Sequence, residues 1–489
     1  MLERLHRRRP VRGAAREVSV DPSTTAGIRT GASITEQYLA RYEKAAAGAG
    51  DPAGLLPVTG AQRRFLLARR LAPGGRPDIV PLFFAFPRGT VDVERLRAAA
   101  GHLAAVHPAL RMRPDVLRGA PVQRLGAPAA QVERVVPRPG ESATAALRRT
   151  LLEWTAEGPP FRLFLADAHS SLDSQGGGAP LSSAAGAVEI LALALDHAVC
   201  DEQSLGRISA DLAEAYERRL GPDDVPPHRA AEEAAGYREA VHLQLDAEKR
   251  ASRPESLAYW ARRIAPASAT TGGAPAPATS TIISSKTQQP RPTGALQTRL
   301  PIRADDGRAT AFPVLLGACG SAARALAEAD APGRTPLLGY PWGGRPAAAP
   351  DVLGCFLNTV VHPVTARGLD DLTTTWWDDL DHADTPFDEV VRAARSAAVP
   401  WTGRLDGLLT FEDLHRRPPL RLGGVAGREV HIDGRPLQAP FAVSVSYGTD
   451  LLVRMAWDRD AVPDGRAHDA FARMTAELAG EPAGHAPVG

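Results

Sequence analysis

The residues best equipped for chemistry stand in one short run, Asp196-His197-Ala198-Val199-Cys200-Asp201-Glu202-Gln203-Ser204. An imidazole exchanges its proton near neutral pH, so a rigidly held His197 can take or orient the proton that an attacking nucleophile must lose. Asp201 follows after three intervening residues, within reach of the same turn. Cys200, close to His197, raises a Cys–His nucleophile pair as an option. The chain's three cysteines, Cys200, Cys319 and Cys355, have no metal-ligand spacing, and they read instead as small buried hydrophobes of a reducing compartment. No G-x-x-x-x-G-K-[ST], G-x-G-x-x-G or H-E-x-x-H motif occurs, and no cofactor is implied.

Such a group needs a stiff support. The run Val188-Glu189-Ile190-Leu191-Ala192-Leu193-Ala194 alternates large and small apolar residues and predicts a buried strand that ends at the histidine. A helix over Ser204 to Leu220 is expected to follow. Upstream, a strand at Ile79 to Phe86 and a helix at Val93 to His107 belong to the same unit. Downstream, the patterns predict a helical stretch Arg229 to Ala265 and a strand Leu296 to Leu300. A helix near Pro313 to Ala329, a helical region Trp376 to Arg395 and strands near Leu408 to Phe411 and Phe441 to Tyr447 complete it. Ser33-Ile34-Thr35-Glu36 is a capping-box pattern opening a short helix with Tyr38, Leu39 and Tyr42 on one face. That helix is expected to pack on the surface, with a grip on a partner as the alternative. The Arg-rich start is expected to be disordered, and Ser170 to Ser183 and Ala265 to Gly294 read as flexible loops.

The whole chain, 489 residues with a formal net charge of +1, exceeds the size at which one core stops growing, so two lobes are expected. The charge gives no global basic field for nucleic acid. No apolar run of membrane-spanning length and no signal-peptide core are present, which makes a cytoplasmic protein with no membrane partner the expectation.

The His segment resembles the H-H-x-x-x-D-G signature of the condensation domains of nonribosomal peptide synthetases, within the acyltransferase superfamily that contains chloramphenicol acetyltransferase. Further pieces of that family's pattern stand in order. Leu56-Pro57-Val58-Thr59-Gly60-Ala61-Gln62-Arg63-Arg64-Phe65 resembles its opening run, Val106-His107-Pro108-Ala109-Leu110-Arg111-Met112-Arg113 its R-H-x-x-L-R-T segment, and Tyr259-Trp260 its inter-half pair. Gly339-Tyr340-Pro341-Trp342-Gly343-Gly344-Arg345, Gly354-Cys355-Phe356-Leu357-Asn358-Thr359 and Pro386-Phe387-Asp388-Glu389-Val390-Val391 are similar to its G-x-P-x-x-G-R, G-x-F-x-N-T and P-F elements.

The resemblance implies an α/β (α+β) chain of two chloramphenicol acetyltransferase-like lobes in a V-shaped pseudo-dimer, with the His motif at the junction and a central tunnel. The expected division is an N-terminal extension 1–54, a first lobe 55–224, and a second lobe 225–489 containing the flexible loop 265–294. The family's reaction moves an acyl group from a carrier-protein thioester to an amine or alcohol. Alignment of the two can supply about 7–11 kcal/mol of such a barrier at best, and one positioned imidazole about 10²–10⁴-fold. The resemblance assigns that imidazole to His197 and a structural role to Asp201. A buried carboxylate must be paired, and Arg345 or Arg111 is the expected partner.

Two positions depart from the pattern: Asp196 replaces the first histidine and Glu202 the glycine. Asp196 should face away from the His197 ring and need its own arginine or backbone partner. Glu202 either narrows the tunnel or receives an ammonium group. Ser204, Asn358 and Ser444 are further candidates for tunnel or acceptor contact. The expected function is that of a free-standing condensation enzyme working with a separate acyl or peptidyl carrier protein. The alternatives are a catalytically silent domain that recruits a partner and an acyl-CoA-dependent acyltransferase.

Overall fold

A computed structural model describes residues 31–50, 54–71, 78–155, 157–168, 187–268, 293–302, 312–328, 333–365 and 368–480. The Arg-rich start, Ser170 to Ser183 and most of Ala265 to Gly294 lie outside the described residues.

Two sheets organise the chain. The first orders its strands Arg428–Val430, Ile79–Pro87, Val188–Asp196, Phe161–Ala168 and Gln131–Arg134, which places the strand before His197 at the centre. Both neighbours pair with it antiparallel, Ile79 opposite Asp196 on one side and Phe161 opposite Leu195 on the other. Its composition follows from burial on both faces. Leu191, Leu193 and Leu195 enter a core with the helices Val93–Val106, Glu202–Arg218 and Pro227–Ala251. Ile190, Ala192 and Ala194 face the helix Ala143–Leu152 and Trp154. Each of those three leucines is fully buried and contributes about 1.5–3 kcal/mol. The end of this strand is therefore a rigid place to hang a side chain.

The second sheet orders Asn358–Pro363, Leu337–Trp342, Gly407–Asp413, Phe441–Tyr447, Leu451–Trp457 and Gly294–Leu300. Phe441, Val443 and Val445 enter the second core with the helices Phe312–Glu328 and Asp464–Ala479. Ser444 and Ser446 lie on the other face by the period of two.

Chain from the second half also completes the first. Arg428–Val430 adds to the first sheet opposite Phe83 to Ala85, covering what would be an open edge. Val352, Leu353, Phe356, Leu420 and Leu422, together with Tyr237 and Val241 from Pro227–Ala251, share the core of the His strand.

Most expected elements are present, with two divisions. The stretch Arg229 to Ala265 is two helices, Pro227–Ala251 and Pro254–Ile264, because Pro254 cannot continue a helix but suits its first turn. The region Trp376 to Arg395 is likewise Leu369–Asp381 and Phe387–Ser396, parted at Pro386. The capping box forms in full at Ile34–Ala46. That helix packs against both halves. Tyr38 Oη donates to the Pro121 carbonyl at 3.0 Å, and the Ile34 N–H donates to the Glu389 carboxylate.

Candidate active site

The strand stops at Asp196 because that side chain caps the turn beyond it. Its carboxylate accepts from the Ala198 N–H at 2.9 Å, and His197–Val199 closes into one turn of 3₁₀ helix. The His197 N–H donates to the Asp78 carbonyl at 2.8 Å, just beyond the paired strand. Asp196 is also ion-paired with Arg69, on the helix Gly60–Leu71. An arginine thus neutralises the residue that stands where the motif has its first histidine.

His197 is half-buried, and its ring is held on two sides. Nδ1 lies 3.0 Å from the Cys200 carbonyl, which can only accept, so Nδ1 carries the hydrogen. In the neutral ring Nε2 is then the lone-pair nitrogen, and it has no partner among the described residues. Phe65 stacks on the ring with centroids 4.7 Å apart and planes at 27°. The turn has a second anchor: buried Gln62 donates from Nε2 to the Ala198 carbonyl at 2.8 Å. Gln62 in turn meets Gln123 at 3.0 Å, and Gln123 accepts from Tyr237 Oη at 2.7 Å.

Asp201 is 2% exposed and fully engaged. Arg345 Nη2 reaches both of its oxygens at 2.8 and 2.9 Å, and the Phe356 N–H donates to it at 3.1 Å. It also accepts from the Ser204 N–H at 3.1 Å, capping the helix Glu202–Arg218. The pair ties the His segment to the Gly339–Arg345 element of the second half. Close by, Gln203 Nε2 donates to the Gly343 carbonyl at 2.6 Å. Arg64 crosses the same junction, donating to Thr359 Oγ1 at 2.7 Å over the Phe387 ring.

Several expected site residues have other duties. Arg111 does not pair with Asp201; its Nε is buried without a partner among the described residues. The buried Ser204 Oγ donates to Asp201 Oδ1 at 2.8 Å and accepts from the Gly354 N–H at 3.1 Å. Asn358 is consumed by backbone: its Nδ2 donates to the Ala383 and Thr385 carbonyls at 2.7 and 2.6 Å, and its Oδ1 accepts from the Phe387 N–H. Ser444 accepts from Arg454 Nε at 3.3 Å. Glu202 is exposed in the first turn of its helix, where the macrodipole favours an acid. Cys200 is fully buried and burial pushes its thiol up, which removes the thiolate that a Cys–His pair needs.

Sequence reasoning missed Arg69 and the Gln123–Tyr237 contact. Gln62 and Phe65 were visible only as members of the opening motif. Among the described residues no group of histidine, cysteine or acidic side chains could hold a metal, and no helix is long and apolar enough to cross a membrane.

With this geometry established, the backbone compares well with solved structures. A mutant of the starter condensation domain of rhizomide synthetase RzmA, in complex with C8-CoA, has a TM-score of 0.59 at 18% identity, covering 87% of this chain and 94% of that one. The chain has the fold of a nonribosomal peptide synthetase condensation domain. The X-domain from teicoplanin biosynthesis shares that condensation fold, with a TM-score of 0.57 at 17% identity over 88% of this chain and 96% of that one. A protein of Salinispora arenicola (strain CNS-205) described as "Probable non-canonical nonribosomal peptide synthetase (NRPS) CymA" is 26% identical over 89% of this chain, which spans 6% of that protein's length. No family model matches the chain.

Proposed function

We propose that this chain is a condensation enzyme that joins a carrier-bound acyl or aminoacyl thioester to an amine or alcohol acceptor. The observation that carries the reading is the state of His197. Its Nδ1 is committed to the Cys200 carbonyl, and its Nε2 lone pair, beside the junction of the two halves, has no partner among the described residues. In this reading Nε2 accepts or orients the proton of the acceptor nucleophile as the nucleophile attacks the thioester carbonyl. The carrier thiol leaves, and an amide or ester forms. Asp201 and Arg345 hold the junction, and Asp196 and Arg69 hold the turn. The thioester is already activated, so most of the rate comes from alignment, with the imidazole adding about 10²–10⁴-fold.

The test offers the protein an acyl-loaded carrier protein and, separately, the same acyl group on coenzyme A, each with candidate amines and alcohols. Product from the carrier alone supports the reading; product from the coenzyme A thioester alone makes the chain a small-molecule acyltransferase. A second reading, a silent domain that binds a partner enzyme, is favoured by Asp196 and Glu202 at motif positions. Tight carrier or partner binding without turnover by any donor would select it.

A further inference from the structure

Two arginines of the second half, Arg435 and Arg454, have N–H groups with no partner among the described residues. Arg454, on Leu451–Trp457, gives Nε to Ser444 Oγ at 3.3 Å and Nη2 to Ser446 Oγ at 3.2 Å. Arg435 gives Nη1 to the Ile79 carbonyl at 3.3 Å. All three acceptors are neutral, and neither guanidinium has an ion-pair partner among the described residues. A guanidinium carries five N–H groups, so most of those on Arg435 and half or more on Arg454 remain. Both side chains are partly exposed, and none of their nitrogens is among the buried side-chain atoms that lack a partner in the described residues.

The carboxylates nearby are already engaged. Asp433 binds His431 at 3.1 Å, Glu412 and Glu429 bind Arg417 at 3.5 and 2.7 Å, and Asp78 accepts from Gln438 at 2.6 Å. Burial, above all, pushes both arginines down from their ordinary value; Arg454 adds to the shift at Arg435 and Arg299 to that at Arg454, while Asp433 and Asp78 oppose it at the first and Glu412, Glu429 and Asp433 at the second.

Position gives the pair its meaning. Ile79, whose carbonyl Arg435 grips, is the cross-strand partner of Asp196, the residue before His197. Ser444 and Arg454 are themselves cross-strand partners, on the face of the second sheet turned away from its core. Arg435 is therefore fixed beside the end of the His strand, and Arg454 is near enough to Arg435 for the two charges to interact.

We infer that Arg435 and Arg454 form a carboxylate-binding site for the acceptor, which makes the acceptor an amine or alcohol bearing a free carboxylate, such as an unesterified amino acid. This rests on the proposed condensation reading. The phosphate of a carrier arm is the other anion at hand, but it lies at the far end of the arm from the thioester, whereas Arg435 lies beside the His strand's end. A planar, bidentate partner also suits guanidinium geometry.

The test is independent of turnover. The full chain is mixed with pooled proteinogenic amino acids and, separately, with their methyl esters, and binding is read by saturation-transfer NMR and then calorimetry. Inorganic phosphate and phosphopantetheine are run as competitors. Free acids should bind about ten- to hundredfold tighter than their esters, the range of one or two charged hydrogen bonds. That preference should vanish in R435Q/R454Q, persist in part in R435K/R454K, and survive unchanged in H197A. The inference is overturned if wild type shows no preference for acid over ester, if R435Q/R454Q retains it, or if phosphopantetheine displaces the acid while carboxylates do not. Survival of the preference in an inert H197A, or its absence in a chain that still makes product, separates this site from the reading of His197.

Discussion

Replacing Arg345 by methionine removes the only ion-pair partner, among the described residues, of a carboxylate that is 2% exposed, so this substitution probes the junction most sharply. Leaving a buried charge uncompensated costs about 3–5 kcal/mol. Asp201 keeps the Phe356 and Ser204 N–H donors and the Ser204 hydroxyl, which favours the lower end, about 3 kcal/mol. Loss of the Arg345 bond to the Val352 carbonyl adds about 1 kcal/mol. The folded-to-unfolded ratio should thus fall by about 10²–10³. Urea unfolding followed by tryptophan fluorescence measures it, with hydrogen exchange at the start of the helix Glu202–Arg218 reporting the local cap. The double variant D201N/R345M should be less destabilised than the sum of the two single ones, because it no longer buries a charge; the coupling should be about 0.5–3 kcal/mol. A loss below about 0.5 kcal/mol in R345M, or simple additivity, would refute the reasoning.

Other outcomes follow from the same geometry. Gln62→Ala strips the Ala198 carbonyl of its side-chain donor and should cost about 1–3 kcal/mol in unfolding experiments while lowering turnover, because the His197 turn loses its anchor. All three cysteines are buried, so native protein should take up no iodoacetamide by intact mass, whereas urea-unfolded protein takes up three, and Cys200→Ala should keep its activity. Burial alone would raise the Asp211 carboxyl, but the hydrogen bond and charge of His107, with Arg207, outweigh it and hold the group below the ordinary aspartate value. A depressed acid stabilises the fold above its unfolded value and loses that contribution as pH falls through the folded one. Asp211→Asn should therefore be less stable than the parent at pH 7 and show a shallower loss below about pH 4, read from denaturation midpoints across pH.

The parts of the fold legible in the sequence are those where burial writes a pattern. Val188 to Ala194 shows its two-sided strand in alternating leucine and alanine, and the Ser33–Glu36 cap is spelled out by residue type. The demand of buried Asp201 for a cation could be argued before any coordinates, and of the two arginines that qualified by chemistry, Arg345 alone is within reach. Long-range contacts left no such trace. Arg428–Val430 is three residues long and pairs with a strand more than 300 residues earlier, so no local period marks it. Arg69 lies in an arginine-rich helix where nothing distinguishes the one that meets Asp196. Ser204 and Asn358 look like substrate contacts in a motif, yet tight turns leave backbone groups to satisfy, and both side chains do that.

The central claim is that the Nε2 of His197 handles the acceptor's proton. The most direct measurement is product formation by wild type and His197→Ala with an acyl-loaded carrier and acceptor, followed by intact mass under single-turnover conditions. The account predicts product from wild type and a rate about 10²–10⁴-fold lower in the variant, with the variant's fold unchanged by denaturation. Equal rates from the two proteins would contradict it.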